Sequence, residues 1–154
     1  MGLINKRLAE LGIVLPKPAQ PVATYVPWVR TGNLVYISGQ GAVRDGKIEY
    51  TGKVGETLSV EDAIASARLT AINVIAHLRD ACSGDLDRVK RVVKLLGFVN
   101  CTPNFSEQPK VINGASDLMV EVFGDKGRHA RSTVGVSALP LDAAVEVEGL
   151  FEVA

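Results

Sequence analysis

The run HARSTVGVSALP, residues 129–140, places one cation at the mouth of a stretch of small and β-branched residues. Such a stretch reads as a strand, and a core gains nothing from a guanidinium, so Arg131 is either a solvated edge residue or the holder of an anion. A guanidinium grips a carboxylate through two parallel hydrogen bonds and does not titrate near neutrality. A salt bridge to a nearby Asp or Glu is the alternative. Strand alternation puts Arg131 on one face with Thr133, Gly135 and Ser137, and Val134, Val136 and Ala138 are expected to point the other way, toward covering helices. Small neighbours on the arginine face leave room for a ligand or another subunit.

The last run of the chain, VEVEGLFEV, alternates Val145, Val147, Gly149, Phe151 and Val153 against Glu146, Glu148, Leu150 and Glu152. The glutamates either keep an outer sheet face wet or, if a partner subunit covers one of them and raises its proton affinity, supply a general acid/base that orients a water. Tyr25 and Trp28 lie in a proline-rich stretch, where aromatic rings pin an arm to the body or wall a small pocket. His77, late in a helix, is expected at the surface near the negative end of the helix dipole. His129 is expected in a basic loop with Lys126 and Arg128, where a solvated role is favoured over recruitment of an anion. Cys82 and Cys101 have none of the zinc-site spacings and are expected as buried thiols in a reducing compartment. With no nucleophile elbow, phosphate-binding loop or implied Cys–His pair, any catalysis leans on electrostatics, positioning and water.

The elements that must position these residues are legible as periodicities. Residues 3–11 space Ile4, Leu8 and Leu11 as a short amphipathic helix that Gly12 stops. From 14 to 28 four prolines predict an extended surface arm. GNLVYISGQGA and GKIEYTGKVG read as a hairpin turned at Asp45-Gly46. Ser59 and Asp62 resemble a capping box, followed by Val60, Ile64, Ala67, Ala71, Val74 and Leu78 at helical spacing, with Gly84 as the stop. RVVKLLGFVN is a covered strand. Ser106 and Pro109 open a second helix whose buried stripe is Val111, Ala115, Leu118 and Val122, ended by Gly124. The Arg131 strand and the final strand follow as a pair, turned at Pro140 and Asp142. This order predicts an α+β layer of two helices on one face of a mostly antiparallel sheet. Residues 1–21 are a helix and arm, and 22–154 a single domain.

The chain has 154 residues, 47% of them hydrophobic, enough for one globular core. Seventeen basic residues balance seventeen acidic ones, so no net field draws the protein toward phosphate backbones or anionic lipid. Nucleic acid and membrane are therefore not expected partners. No apolar stretch is long enough to span a bilayer and the start lacks a secretory pattern, which makes a cytoplasmic location the default expectation.

Three blocks, YVPWVRTGNLVYISGQ, ARSTVGVSALP and VEVEGLFEV, resemble the signature blocks of the Rid family, also called YjgF or reactive-intermediate deaminases, over roughly residues 22–154. The resemblance implies a chorismate-mutase-like fold and a homotrimer whose sheets close into a barrel with three clefts between subunits. It also implies hydrolysis of enamines and imines such as 2-aminoacrylate to 2-keto acids and ammonia, with no cofactor or metal. Carried over by position, the family's carboxylate-binding arginine falls on Arg131, its site tyrosine on Tyr25, its water-associated glutamate on Glu146 and its helix asparagine on Asn113. Thr133 stands where a cysteine is common and Trp28 where a small residue is common. With the N-terminal helix, these departures mark a divergent branch. A non-catalytic trimer that binds small carboxylates or a partner protein is the alternative the same residues allow.

Overall fold

The computed structural model describes residues 1–154. Its centre is a five-stranded sheet built from β1 (Trp28–Thr31), β2 (Leu34–Gln40), β5 (Val89–Asn100), β6 (Ala130–Val136) and β7 (Val145–Val153), in the order β1-β2-β7-β5-β6. All neighbours are antiparallel except β5 and β6, which run parallel. Two short strands, β3 (Val43–Arg44) and β4 (Lys47–Ile48), form a separate ribbon. One face of the sheet carries α2 (Val60–Ala81) and α3 (Gln108–Phe123), with α1 (Leu3–Glu10) packed beside α3. The predicted α+β layer and its chorismate-mutase-like architecture are what the chain adopts.

The helices begin and end where local chemistry requires. The Ser59 side chain accepts a hydrogen bond from the Asp62 amide at 3.1 Å, satisfying one of the orphan donors at the start of α2. Along α2, Ala63, Ala67 and Ala71 are fully buried, and these small side chains allow close packing, Ala67 against Gly114 of α3. Gly114 of α3 is packed against the Ile64 carbonyl, so the two helices approach closer than any side chain there would allow. The core between the layers gathers Val35, Leu95, Val147 and Phe151 from the sheet with Val74, Leu78, Ile112 and Leu118 from the helices.

Four expectations are corrected. The Asp45-Gly46 turn joins only β3 to β4, because β2 shifts register between Ile37 and Gln40 and its main partners are β1 and β7. The last two strands are not a pair: β7 inserts between β2 and β5, and β6 lies at the sheet edge beside β5. The proline arm ends one residue earlier than expected, since Trp28 already belongs to β1 and its indole donates to Asp80 of α2 at 2.9 Å. His77 is buried at 2% exposure rather than on the surface, because α2 is flanked by the arm as well as the sheet, with Arg79 holding the Pro16 carbonyl at 3.3 Å. Burial pushes the His77 pKa below its ordinary value, against the opposing pull of Asp80.

Candidate functional site

The faces of β6 are the reverse of the predicted ones. Register pairs Arg131 with Leu95, Thr133 with Gly97 and Gly135 with Val99, all buried residues on the helix side of β5. Arg131, Thr133 and Gly135 therefore face α3, and a Cβ on Gly135 would meet Cys101 Sγ and Gln108 Nε2 within 3 Å. Val134 points to the uncovered face and is 43% exposed. Apolar character did not set the parity here, because an edge strand of small residues is nearly as apolar on one side as on the other.

Arg131 is half-buried and reaches over the middle of α3. Its Nη1 donates to Asn113 Oδ1 at 2.7 Å and to Ser116 Oγ at 3.1 Å, two acceptors one helical turn apart and hence on one face of α3. None of the five ion pairs in the molecule includes Arg131. The protein's own carboxylates leave the guanidinium free. With Nη1 engaged, the edge formed by Nε and Nη2 remains available, and this edge has the geometry for a bidentate carboxylate. Arg131 borders a shallow surface cavity of about 290 Å³ that Asp117, Arg128 and His129 also line.

His129 is drawn into this site rather than left in a solvated loop. Its Nδ1 lies 2.6 Å from the Gly127 carbonyl, which can only accept, so Nδ1 carries the proton and Nε2 is the free lone pair of the neutral ring. Nε2 lies 2.9 Å from Ser116 Oγ and accepts its hydroxyl proton. Burial holds the His129 pKa below the ordinary value; the Gly127 hydrogen bond opposes that shift and the nearby Arg131 charge adds to it. Ser116 and its pairing with His129 were not found in the sequence, where no serine–histidine pairing is implied. The spacing of Asn113 and Ser116 on α3 was the only signal that could have found Ser116.

The other predicted residues lie elsewhere in the chain. Glu146 of β7 is on the uncovered face, opposite in register to Phe98 and pressed against the backbone at Gly39, where a Cβ would come within 2.9 Å of its carboxyl. Burial, and secondarily the adjacent Glu148 charge, raise its pKa above the ordinary 4.5. Tyr25 precedes β1, is 60% exposed, and stands at the sheet edge opposite to β6. Four strand spacings, roughly 19 Å, separate the two edges. One copy of the chain thus joins Arg131 to Asn113, sets Thr133 on the same face of β6, and holds Glu146 and Tyr25 apart from them. The uncovered face also exposes Val29 and Tyr36 around a depression of about 360 Å³ lined in addition by Lys94, Leu96 and Glu148. No group of three or more His, Cys, Asp or Glu side chains that could hold a metal ion is present, and no helix is long and apolar enough to cross a membrane.

Comparison with known proteins places this geometry. A family model described as "YjgF/chorismate_mutase-like, putative endoribonuclease" matches residues 5–153. The chain is 49% identical over 152 residues to the Trypanosoma cruzi protein TCP17, covering 98% of this chain and 94% of that one. It is 29% identical over 139 residues to a 2-iminobutanoate/2-iminopropanoate deaminase of Dermatophagoides farinae, covering 90% and 92%. Among solved structures, the Agrobacterium tumefaciens protein Atu1372, of unknown function, superposes with a TM-score of 0.92 at 46% identity, covering 98% of this chain and 92% of that one.

Proposed function

The chain belongs to the YjgF/chorismate-mutase-like family, and on that footing we propose that it hydrolyses small 2-imino acids and their enamine tautomers to 2-keto acids and ammonia. The observation that carries this reading is the guanidinium of Arg131, held by Asn113 and Ser116, unpaired with any carboxylate and bordering a cavity. A relative at 29% identity that is named as an imine deaminase supports the same chemistry.

The reaction asks little of the protein. An imine carbon accepts water readily once its nitrogen is protonated, so a site that fixes the carboxylate and places one water removes much of the entropic barrier. Arg131 anchors the carboxylate through its Nε and Nη2 edge, and Thr133 lies on the same strand face beside it. Glu146, with its raised proton affinity, orients the water and accepts its proton as the new C–O bond forms. The resulting carbinolamine receives that proton on nitrogen, the C–N bond breaks and ammonia leaves, while the Glu146 carboxylate takes the remaining hydroxyl proton as the C=O bond forms. Tyr25 shapes and polarises the cleft. Because Glu146 and Tyr25 lie away from Arg131 in one chain, the reading requires a site completed by a neighbouring copy, as in a homotrimer; the exposed Val29, Tyr36 and Val134 on the uncovered face favour such an assembly.

The test is a coupled assay in which an amino-acid oxidase generates the imine and keto-acid release is followed. The protein should accelerate release, and Arg131→Ala should lose about 10²-fold of that acceleration. No acceleration with imines of several side chains contradicts the reading. One observation favours a second reading, a carboxylate-binding protein without turnover: the anchoring residues are complete in one chain and the glutamate is not among them. In that case a 2-keto acid raises the melting temperature while hydrolysis stays at the uncatalysed rate. RNA cleavage draws no support from a chain of balanced charge.

A further inference from the structure

Ser116 stands between two groups that make different demands on it. Its oxygen accepts from Arg131 Nη1 at 3.1 Å, and its hydroxyl proton is taken by His129 Nε2 at 2.9 Å. A hydroxyl has one proton to give. While the ring is neutral that proton points at His129 and is withheld from the cavity that Ser116, His129 and Arg131 line together. When the ring gains a proton, Nε2 becomes a donor, the Ser116 oxygen accepts from both neighbours, and its own proton is released to turn toward the cavity.

We propose that His129 is a positioning residue that, through Ser116, makes the carboxylate grip of Arg131 proton-sensitive: the cationic ring frees the Ser116 hydroxyl to donate to the ligand and adds a positive charge beside it. This rests on the reading of Arg131 as a carboxylate anchor. The Gly127 carbonyl, 2.6 Å from Nδ1, keeps the ring oriented in both protonation states, so the change is confined to the Nε2 side. The charged groups that line the same cavity as the ring are Arg131 from β6, Arg128 from the loop before it, and Asp117 from α3. Burial, with the Arg131 charge adding to it, lowers the pKa of the ring, and the Gly127 hydrogen bond opposes that shift. A bound carboxylate offsets the Arg131 charge, so ligand and proton favour each other.

The experiment uses 2-ketobutyrate as the probe on the full chain. Its Kd, followed from about pH 8 to about pH 5 where the probe stays ionised, should tighten about fivefold as His129 protonates. His129→Gln, which still offers Ser116 an acceptor, should bind with the weaker, pH-independent Kd of the neutral site. By linkage the ring resonances must report the same coupling, and with only two histidines in the chain they are readily assigned: saturating 2-ketobutyrate should raise the pKa of His129 and leave His77 unmoved. A wild-type protein that binds with a flat pH profile and an unshifted His129 overturns the inference and leaves the anchor reading intact. A protein that binds no 2-ketobutyrate at any pH overturns both. A His129→Gln variant that keeps the wild-type pH profile overturns the inference alone.

Discussion

At the scale of single residues, two side chains carry unlike burdens. Arg131 owes its usefulness to what it lacks: the acceptors on α3 are neutral, so they orient the guanidinium without neutralising it. Arg131→Lys keeps the charge and loses the fork, and should retain binding of a 2-keto acid while KM rises about 10-fold or more, measured by steady-state imine hydrolysis. Glu146 is the opposite case, a carboxylate that the fold makes uncomfortable. Its raised pKa means the folded state favours the protonated form, so its contribution to stability is greatest below the ordinary value of 4.5 and is lost as pH rises through the raised value. Glu146→Gln should therefore raise the melting temperature at pH 7, with the gain vanishing toward pH 4, while turnover falls about 10²-fold. A variant that loses turnover and stability together contradicts this assignment of cost and use.

At the scale of elements, α1 is held from outside itself. Gly2 offers no side-chain cap, and the free amides of Leu3 and Ile4 donate instead to the Asp87 carboxylate at 2.9 and 2.8 Å. These bonds depress the Asp87 pKa below its ordinary 3.8, so the support they give is present above that value and lost as pH falls through the depressed one. Asp87→Asn should weaken amide protection of residues 3–10 in hydrogen exchange with the sheet unaffected; unchanged protection would mean that Leu8 packing alone holds the helix. The capping serine of α2, the glycine stops of α1 and α3 and the alternation of β7 were all legible in the sequence, because each is a local pattern. The orientation of β6 was not. Arg131 faces α3 because it pairs with Leu95, a contact set by a crossover that passes through the whole of α3, and nothing in the small residues of the strand itself distinguishes its faces. For the same reason Asn113 could be assigned only by resemblance, and Ser116 and the pairing with His129 stayed out of sight.

At the scale of the whole molecule, the candidate site is divided. The sheet has helices on one face only, and its other face exposes Val29, Tyr36 and Val134 beside the carboxylates of β7. Arg131 sits on one edge strand and Tyr25 next to the other, so a second copy that docks edge to edge is what would unite them. Mixing two inactive variants tests this most directly. Tyr25→Phe and Arg131→Ala protein, unfolded together and refolded as a mixture, should regain activity in imine hydrolysis, because in a closed ring about a quarter of the shared sites receive both intact residues. Each variant refolded alone should stay inactive. A mixture no more active than the sum of its parts, from variants that fold and assemble as the wild type does, would contradict a site in which Arg131 of one copy and Tyr25 of the next act on the same imino acid.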